Sequence, residues 1–320
     1  MGRYIIRRLL QAIPLLILLS IFMFTLIHLM PGGPEGVLFN PRLSAAGRAA
    51  LRANFGLDDP PWLQYFKWMG RILIGDFGTS FSTYQPVSGI IATDFPLTLE
   101  LFGSALLLAL IVAIALGMIS AVYHRTITDY LLTSLSYFGI SMPIFLLGVL
   151  GQDTFALQLH LLPVSGTSTL GYVFDPFNAF LDHFLHLLLP MSVLALAFIA
   201  GWSRYMRSSM LDVVKQDYMR TARAKGVSFP SMLIRHALRN AVIPLITVVA
   251  LDFGTVAGGA AITESVFNWH GMGLLFIESL ENRDYPVLMA MLLIGAVFVI
   301  GSNLIADILY AIVDPRIRYS

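Results

Sequence analysis

The sequence predicts an all-α polytopic membrane protein with six transmembrane helices and both termini in the cytoplasm, and three observations lead there. Of its 320 residues, 57% are apolar and only 12% charged, well outside the balance of a soluble domain. Six apolar segments each supply the roughly 20 helical residues that a hydrocarbon core about 30 Å thick requires. The basic residues gather at one set of segment ends, as they do on the cytoplasmic side of membrane proteins.

In order, the segments are residues 9–30, 98–123, 131–158, 183–205, 238–263 and 286–312. Lipid offers no partner to a free backbone N–H or C=O, so apolar runs of this length are read as helices. The first follows Arg3, Arg7 and Arg8, as the core of a secretory signal would. It is too long for one, and no small-residue cleavage site follows His28-Leu29-Met30-Pro31, so a retained anchor is expected. With the N-terminus inside, 14 of the 20 Lys and Arg residues are cytoplasmic: Arg3, Arg7, Arg8, Arg125, the eight from position 204 to 239, Arg316 and Arg318. Asp58, Asp59, Asp175, Glu278 and Glu281 then fall outside or at the outer border.

The connections carry their own signals. The outer segment 31–97 is too long for a turn. Within it Ser44 is placed to cap a short helix through Asn54, and Trp62, Phe66, Met69 and Leu73 recur at helical spacing, with Lys67 and Arg71 on another face. This second helix either lies in the outer interface with its aromatics at headgroup level or packs them on the bundle, and both readings stay open. On the inner side the longest connection runs over 207–240. Residues 217–225 suit a short exposed helix that Gly226 ends by taking a left-handed conformation at no Cβ penalty. Ser228 and Pro230 suit the start of the next helix. A helix, a sharp turn and a helix thus sit beside the membrane, as a surface for lipid headgroups or for a protein partner.

Several chemistries are set aside. The chain has no cysteine, which removes disulfides, thiolate metal sites and Cys nucleophiles. It contains no Gly-x-x-x-x-Gly-Lys-Ser/Thr phosphate loop, so it is not expected to bind ATP itself. No metal or other cofactor is expected on it either: His183 and His186, at i, i+3, read as an interfacial pair. Nucleic acid is not an expected partner. A charge inside the bilayer costs about 2.5–3.5 kcal/mol or more, so intramembrane acids are functional candidates by default. Asp252, near the middle of the fifth segment, and Asp153, in the outer part of the third, are candidates to line a path and meet a substrate amine. The blander reading of each is a hydrogen bond to a neighbouring helix. Asp307 reads as interfacial. Gly254, Gly258 and Gly259 form a small-residue stripe suited to helix packing, and Pro143 and Pro190 read as kinks or helix starts.

The loop residues are more specific. Asp217-Tyr218-Met219-Arg220-Thr221-Ala222-Arg223-Ala224-Lys225-Gly226, followed by His236-Ala237-Leu238-Arg239-Asn240-Ala241-Val242-Ile243-Pro244, resembles the cytoplasmic loop of ABC importer permeases, in its dipeptide and oligopeptide branch. The family pattern reads Glu-Ala-Ala, three residues, Gly and later Pro. Here Arg220 and Thr221 take the first two places, while Ala222, Gly226 and Pro244 are kept. Gly75-Asp76-Phe77-Gly78, Leu162-Pro163-Val164-Ser165-Gly166, Glu264-Ser265-Val266-Phe267-Asn268 and Arg283-Asp284-Tyr285-Pro286 add weaker matches in the same order.

The resemblance implies a type I ABC importer permease-like fold that moves di- or oligopeptides across the cytoplasmic membrane of a bacterium or archaeon. It implies a second homologous permease subunit, two ABC ATPase subunits that carry ATP and Mg, an extracytoplasmic substrate-binding protein, and surrounding membrane lipid. Asp217, Tyr218, Arg220, Thr221, Ala222, Arg223, Ala224, Lys225 and Gly226 would then form the coupling helix seated in an ATPase cleft. Ala222 and Ala224 would allow close approach, and Arg220, Arg223 and Lys225 would meet acidic groups or carbonyls. Nickel-chelate and glutathione importers share this architecture, so the substrate stays open. An ion-driven secondary transporter using Asp153 and Asp252 is the alternative class, but no convincing internal repeat is present.

The expected layout is a tail and first helix over 1–30, an extracytoplasmic segment with short helices over 31–97, a permease core over 98–312 with its coupling loop at 207–240, and a cytoplasmic tail over 313–320. A fluorescent protein fused after Ser320 is expected to fluoresce, and alkaline phosphatase inserted after Pro41 to be active. The reverse pattern would overturn the orientation.

Overall fold

A computed structural model describes residues 2–29, 52, 56, 58–172, 175–254 and 260–313, with the side chains of 2–5 and 306–313 excluded. The helices are α1 (Gly2–Leu29), α2 (Pro61–Leu73), α3 (Val87–Val122), α4 (Ile127–Ser141), α5 (Ile144–Gln158), α6 (Pro176–Val214), α7 (Asp217–Ala224), α8 (Phe229–Phe253), α9 (Ala261–Phe267), α10 (Met272–Glu281) and α11 (Tyr285–Val313). The helix expected from Ser44 to Asn54, apart from residue 52, and the tail over 314–320 lie outside the described residues. Stretches of α5 (Gln152–Gln158) and α8 (Met232–Leu238) are π-helical.

Among the described residues five helices are long and apolar enough to span a membrane: α1, α3, α6, α8 and α11. The third expected span, 131–158, is broken into α4 and α5, which meet at 100°. Pro143 has no N–H to continue the ladder and forces the residue before it out of the helical region. Met142 is accordingly extended, with φ −81° and ψ 126°. Pro190, by contrast, lies inside α6. The expected fifth segment, 238–263, is also redrawn: α8 starts at Phe229 and ends at Phe253, and α9 begins at Ala261.

Two helices outrun their apolar cores. α3 has 36 residues, about 54 Å at 1.5 Å per residue. It begins at Val87 because Val87 and Ile91 pack into a cluster with Met272, Val287 and Met291, which carries the helix through polar Ser88, Thr93 and Asp94. α6 starts where the Asp175 carboxylate accepts the N–H groups of Phe177 and Asn178, a helix N-cap. The backbone N–H of Asn178, then its side-chain amide, hold this carboxyl below its usual range.

α3 and α6 form the spine. Along α3, Ala105, Ala109, Ala113, Gly117 and Ala121 recur every fourth residue and are buried, the small-residue stripe that lets helix backbones approach closely. The closest point is Gly117, where an added Cβ would stand 2.6 Å from Met206 Cβ and 2.7 Å from the Ser203 carbonyl oxygen. The glycine stripe expected on the fifth segment is only partly visible. A Cβ added at Gly254 would stand 3.7 Å from Ser302 Cβ and 3.6 Å from Asn303 Oδ1 of α11, ordinary contact distances, and Gly258 and Gly259 lie outside the described residues.

Around this spine α4 runs antiparallel to α6, with Ser136 Oγ 3.1 Å from Ser203 Oγ and Gly139 against Ala200. At the end of the bundle opposite α7, Tyr65 and Trp68 of α2 pack on Phe24, Ile27, Tyr285, Leu288 and Met289. Trp62 and Phe66 stay exposed on the other face of α2. The aromatics of this helix are therefore divided between the two readings left open above.

Gly117→Ala is expected to destabilise the purified protein by about 1–3 kcal/mol through overpacking. Gly103→Ala, on the same helix with nothing within 4 Å of the added atom, should be neutral or gain about 0.5–1 kcal/mol. Thermal melts in detergent compare the two, and equal melting temperatures would sink this account of the crossing.

Candidate coupling site and the buried carboxylates

α7 is a short amphipathic helix on an apolar stem. Gln216 caps its start in an extended conformation, and only Lys215 and Gln216 separate it from α6. Its far end is closed by two crossed hydrogen bonds, Val227 N–H to the Ala222 carbonyl at 3.2 Å and Gly226 N–H to the Arg223 carbonyl at 3.0 Å. This pairing defines a Schellman motif and needs a left-handed residue. Gly226 supplies it with φ +76°.

Met219 and Ala222 face inward and are buried in the main core cluster with Met210, Met232 and Ala237. Asp217, Tyr218, Arg220, Thr221, Arg223, Ala224 and Lys225 are exposed. Ala222 therefore does not offer the close approach to a partner expected of it, whereas Ala224 is exposed. The helical period puts positions 219 and 222 on one face, and that face is the apolar one. Tyr218 Oη accepts from Asn240 Nδ2 at 3.1 Å, which links α7 to α8. The Arg220–Asp217 pair, 3.5 Å apart and fully in solvent, contributes little.

The two candidate path acids have separate surroundings. Asp252 on α8 is half-buried and accepts the indole N–H of Trp202, a buried residue of α6, at 2.7 Å. Asp153 is exposed in the π-helical part of α5 and accepts from Gln158 Nε2 at 2.8 Å. The side chain of Asp307 lies outside the described residues. His183 and His186 also diverge. The former places Nδ1 2.8 Å from the Thr167 carbonyl and Nε2 2.9 Å from the Glu100 carboxylate, while His186 Nδ1 meets the Asp182 carbonyl at 2.8 Å.

Three other carboxylates, not singled out from sequence as sites, are more deeply buried. Glu264 is fully buried and accepts from Thr98 Oγ1 (3.0 Å) and from the N–H groups of Gly273 (2.6 Å), Leu274 (3.0 Å) and Ala260 (3.3 Å). Burial pushes its carboxyl above the usual range, while the N–H of Leu274, the Thr98 hydroxyl and the other donors oppose the shift. The site leaves no spare room. A Cβ on Gly271 would stand 2.4 Å from Thr98 Oγ1, and one on Gly273 would stand 2.5 Å from the Ala261 backbone.

Asp284 accepts from Ser80 Oγ (2.5 Å), Ser82 Oγ (2.8 Å) and the N–H groups of Phe81 and Ser82 (both 3.1 Å). It thereby ties the segment before α3 to the start of α11. Asp129, at the α7 end, binds Arg207 through both carboxylate oxygens at 2.7 Å. For Glu264 and Asp284 the sequence did hold a signal, since both sit in the short strings quoted above. A string shows that a residue matters without showing what it binds.

Known proteins resemble this chain throughout its length. The family model described as binding-protein-dependent transport system inner membrane component matches residues 113–319, and the model for the N-terminal part of such membrane components matches residues 1–102. The chain is 44% identical to the oligopeptide transport system permease protein AppB of Bacillus subtilis, over 100% of both chains. It is 42% identical to a putative peptide permease of Brucella ovis over 99% of both. To the glutathione transport system permease protein GsiC of Salmonella typhimurium it is 39% identical over 100% of both.

Met219→Ala is expected to cost about 2–5 kcal/mol, the range for emptying a buried methionine site, and to expose the α6–α7 junction to protease. Arg220→Ala should stay within about 0.5 kcal/mol. Thermal melts and limited proteolysis distinguish a stem from a surface.

Proposed function

This chain belongs to the family of binding-protein-dependent transport system inner membrane components, and from that premise we propose that it is a transmembrane permease subunit of an importer of di- and oligopeptides, driven by ATPase subunits docked on α7. The observation that carries the docking is the two-sided build of α7: a buried apolar stem under an exposed basic face. The full-length relatives named for oligopeptide and peptide transport support the substrate. Glutathione is itself a tripeptide, so the relative named for it narrows the substrate without changing its class.

In this reading the α7 end faces the cytoplasm and ATP and Mg sit on two partner ATPases, since the chain carries no phosphate loop sequence. A second, homologous permease subunit completes the path, a binding protein delivers peptide at the opposite end, and lipid surrounds the exposed apolar helix faces. Closure of the nucleotide sites moves α7 as a rigid body. Two residues join it to α6 and a Schellman turn joins it to α8, so both helices tilt with it and access alternates. Asp153, exposed on α5, is the group we place in contact with a peptide ammonium. Asp252, engaged by Trp202, holds α8 against α6.

The test is uptake of radiolabelled peptide by the assembled complex in proteoliposomes. ATP-dependent uptake requiring the binding protein is expected, with free glutathione as competitor to rank the tripeptide against ordinary peptides. Uptake driven by an ion gradient with no ATPase present would overturn the proposal. Gly226→Val places a β-branched residue at φ +76°, where nothing lies within 4 Å of the new Cβ, so its effect acts through the backbone, at about 1–2 kcal/mol. The variant is expected to insert and assemble yet lose coupled uptake, and normal uptake would remove α7 from the mechanism.

A further inference from the structure

From the α7 end of the bundle we infer that Asp129 and Arg207 are positioning residues for energy coupling. They clamp the α3–α4 corner to α6, so that the motion of α7 reaches the broken span α4–α5. The inference rests on the reading of α7 as the ATPase contact and names the route by which its motion reaches the path.

Arg207 lies on α6 seven residues before the helix ends at Val214, about 10 Å from the link to α7. Its Nε and Nη2 donate to Asp129 Oδ1 and Oδ2, both at 2.7 Å, the two-pronged geometry that only a guanidinium supplies. Asp129 is buried at the first turn of α4. It also accepts from Ser120 Oγ on α3 at 2.5 Å and from the Arg125 N–H at 2.9 Å. Arg125 sits in the tight turn between α3 and α4 with φ +62°, a conformation rarely taken by a residue with a side chain, and the carboxylate holds that turn closed. Arg207 Nε also reaches Ser120 Oγ at 3.1 Å, and its Nη2 reaches His124 Nδ1 at 3.1 Å. One ion pair thus gathers the end of α3, the turn, the start of α4 and the lower part of α6.

The clamp continues up the α4–α6 seam. Ser136 meets Ser203, the Arg204 guanidinium lies 4.9 Å from the Tyr137 ring centroid, and Gly139 meets Ala200. At the top of the seam the chain turns through 100° into α5, the helix that carries Asp153. A displacement of α7 passed to α6 therefore drags the whole corner, and the bend at Pro143 converts it into a movement of α5. Without the clamp α4 can lag behind α6, and ATP hydrolysis proceeds without moving the path.

The test uses the complete complex in proteoliposomes, with radiolabelled trialanine as substrate. The variants are Arg207→Lys, which keeps the charge and loses the fork, and the double variant Asp129→Leu/Arg207→Leu. The latter fills the site with apolar side chains and leaves no buried unpaired charge, a replacement that often preserves stability. The double variant is expected to assemble and hydrolyse ATP, with uptake per ATP reduced about tenfold, within the usual range of coupling effects, and Arg207→Lys to fall between. A purely structural pair would leave that ratio unchanged in every variant that assembles, which would overturn the inference, as would failure of both variants to assemble.

Because the chain has no cysteine, spin labels at Thr126→Cys and Lys215→Cys report the clamp directly. Their distance should be the same with and without ATP in the otherwise unaltered protein and should differ between the two states in the double variant. A distance that changes with ATP in the unaltered protein overturns the clamp. Absence of ATP-driven uptake in that protein overturns the function reading instead.

Discussion

A carboxylate removed from water needs donors or a cation around it, because the effective penalty for burying an unmet charge is several kcal/mol. Glu264, Asp284 and Asp129 impose that requirement on this chain. Each meets it with partners far away in sequence: Thr98 lies 166 residues from Glu264, Ser80 lies 204 from Asp284, and Arg207 lies 78 from Asp129. Apolar helices in lipid have little hydrophobic reason to prefer one neighbour over another. These polar anchors supply the preference, and the close crossing at Gly117 fits the spine to it.

The anchors divide between the two ends of the bundle. Glu264 and Asp284 join α3, α10, α11 and the segment before α3 at the end opposite α7, where backbone N–H groups do much of the binding. Asp129 works at the α7 end and uses a charged partner instead. The first kind fixes a loop against a helix start. The second ties helix to helix at the foot of the α4–α6 seam. The proposed function would use both: a fixed rim at the end opposite α7 and a jointed lever at the α7 end.

α7 follows the same economy on a smaller scale. It has eight residues, too few to be stable alone in water, and it depends on Met219 and Ala222 being buried and on the turn at Gly226. Because its inward face is spent on that support, its basic side chains are left on the exposed face. The reading of Ala222 changed, and the two readings open for Asp252 could not be separated from sequence, for one reason: periodicity assigns a residue to a face, whereas only packing says whether that face meets solvent, a neighbouring helix or a path.

By itself the sequence determined the membrane class, the position of most apolar helices, the helical character of residues 217–224, the left-handed turn at Gly226 and the family to which the chain belongs. Apolar length, charge placement and local backbone preference are one-dimensional properties and survive without coordinates. The tertiary structure decided the rest. It split the third span at Pro143, carried α3 back to Val87, turned Ala222 inward, paired Asp252 with Trp202, and buried Glu264, Asp284 and Asp129 among donors from distant parts of the chain. Each of these outcomes depends on which donor or methyl group stands within a few ångströms in space, and no local pattern along the chain encodes that distance.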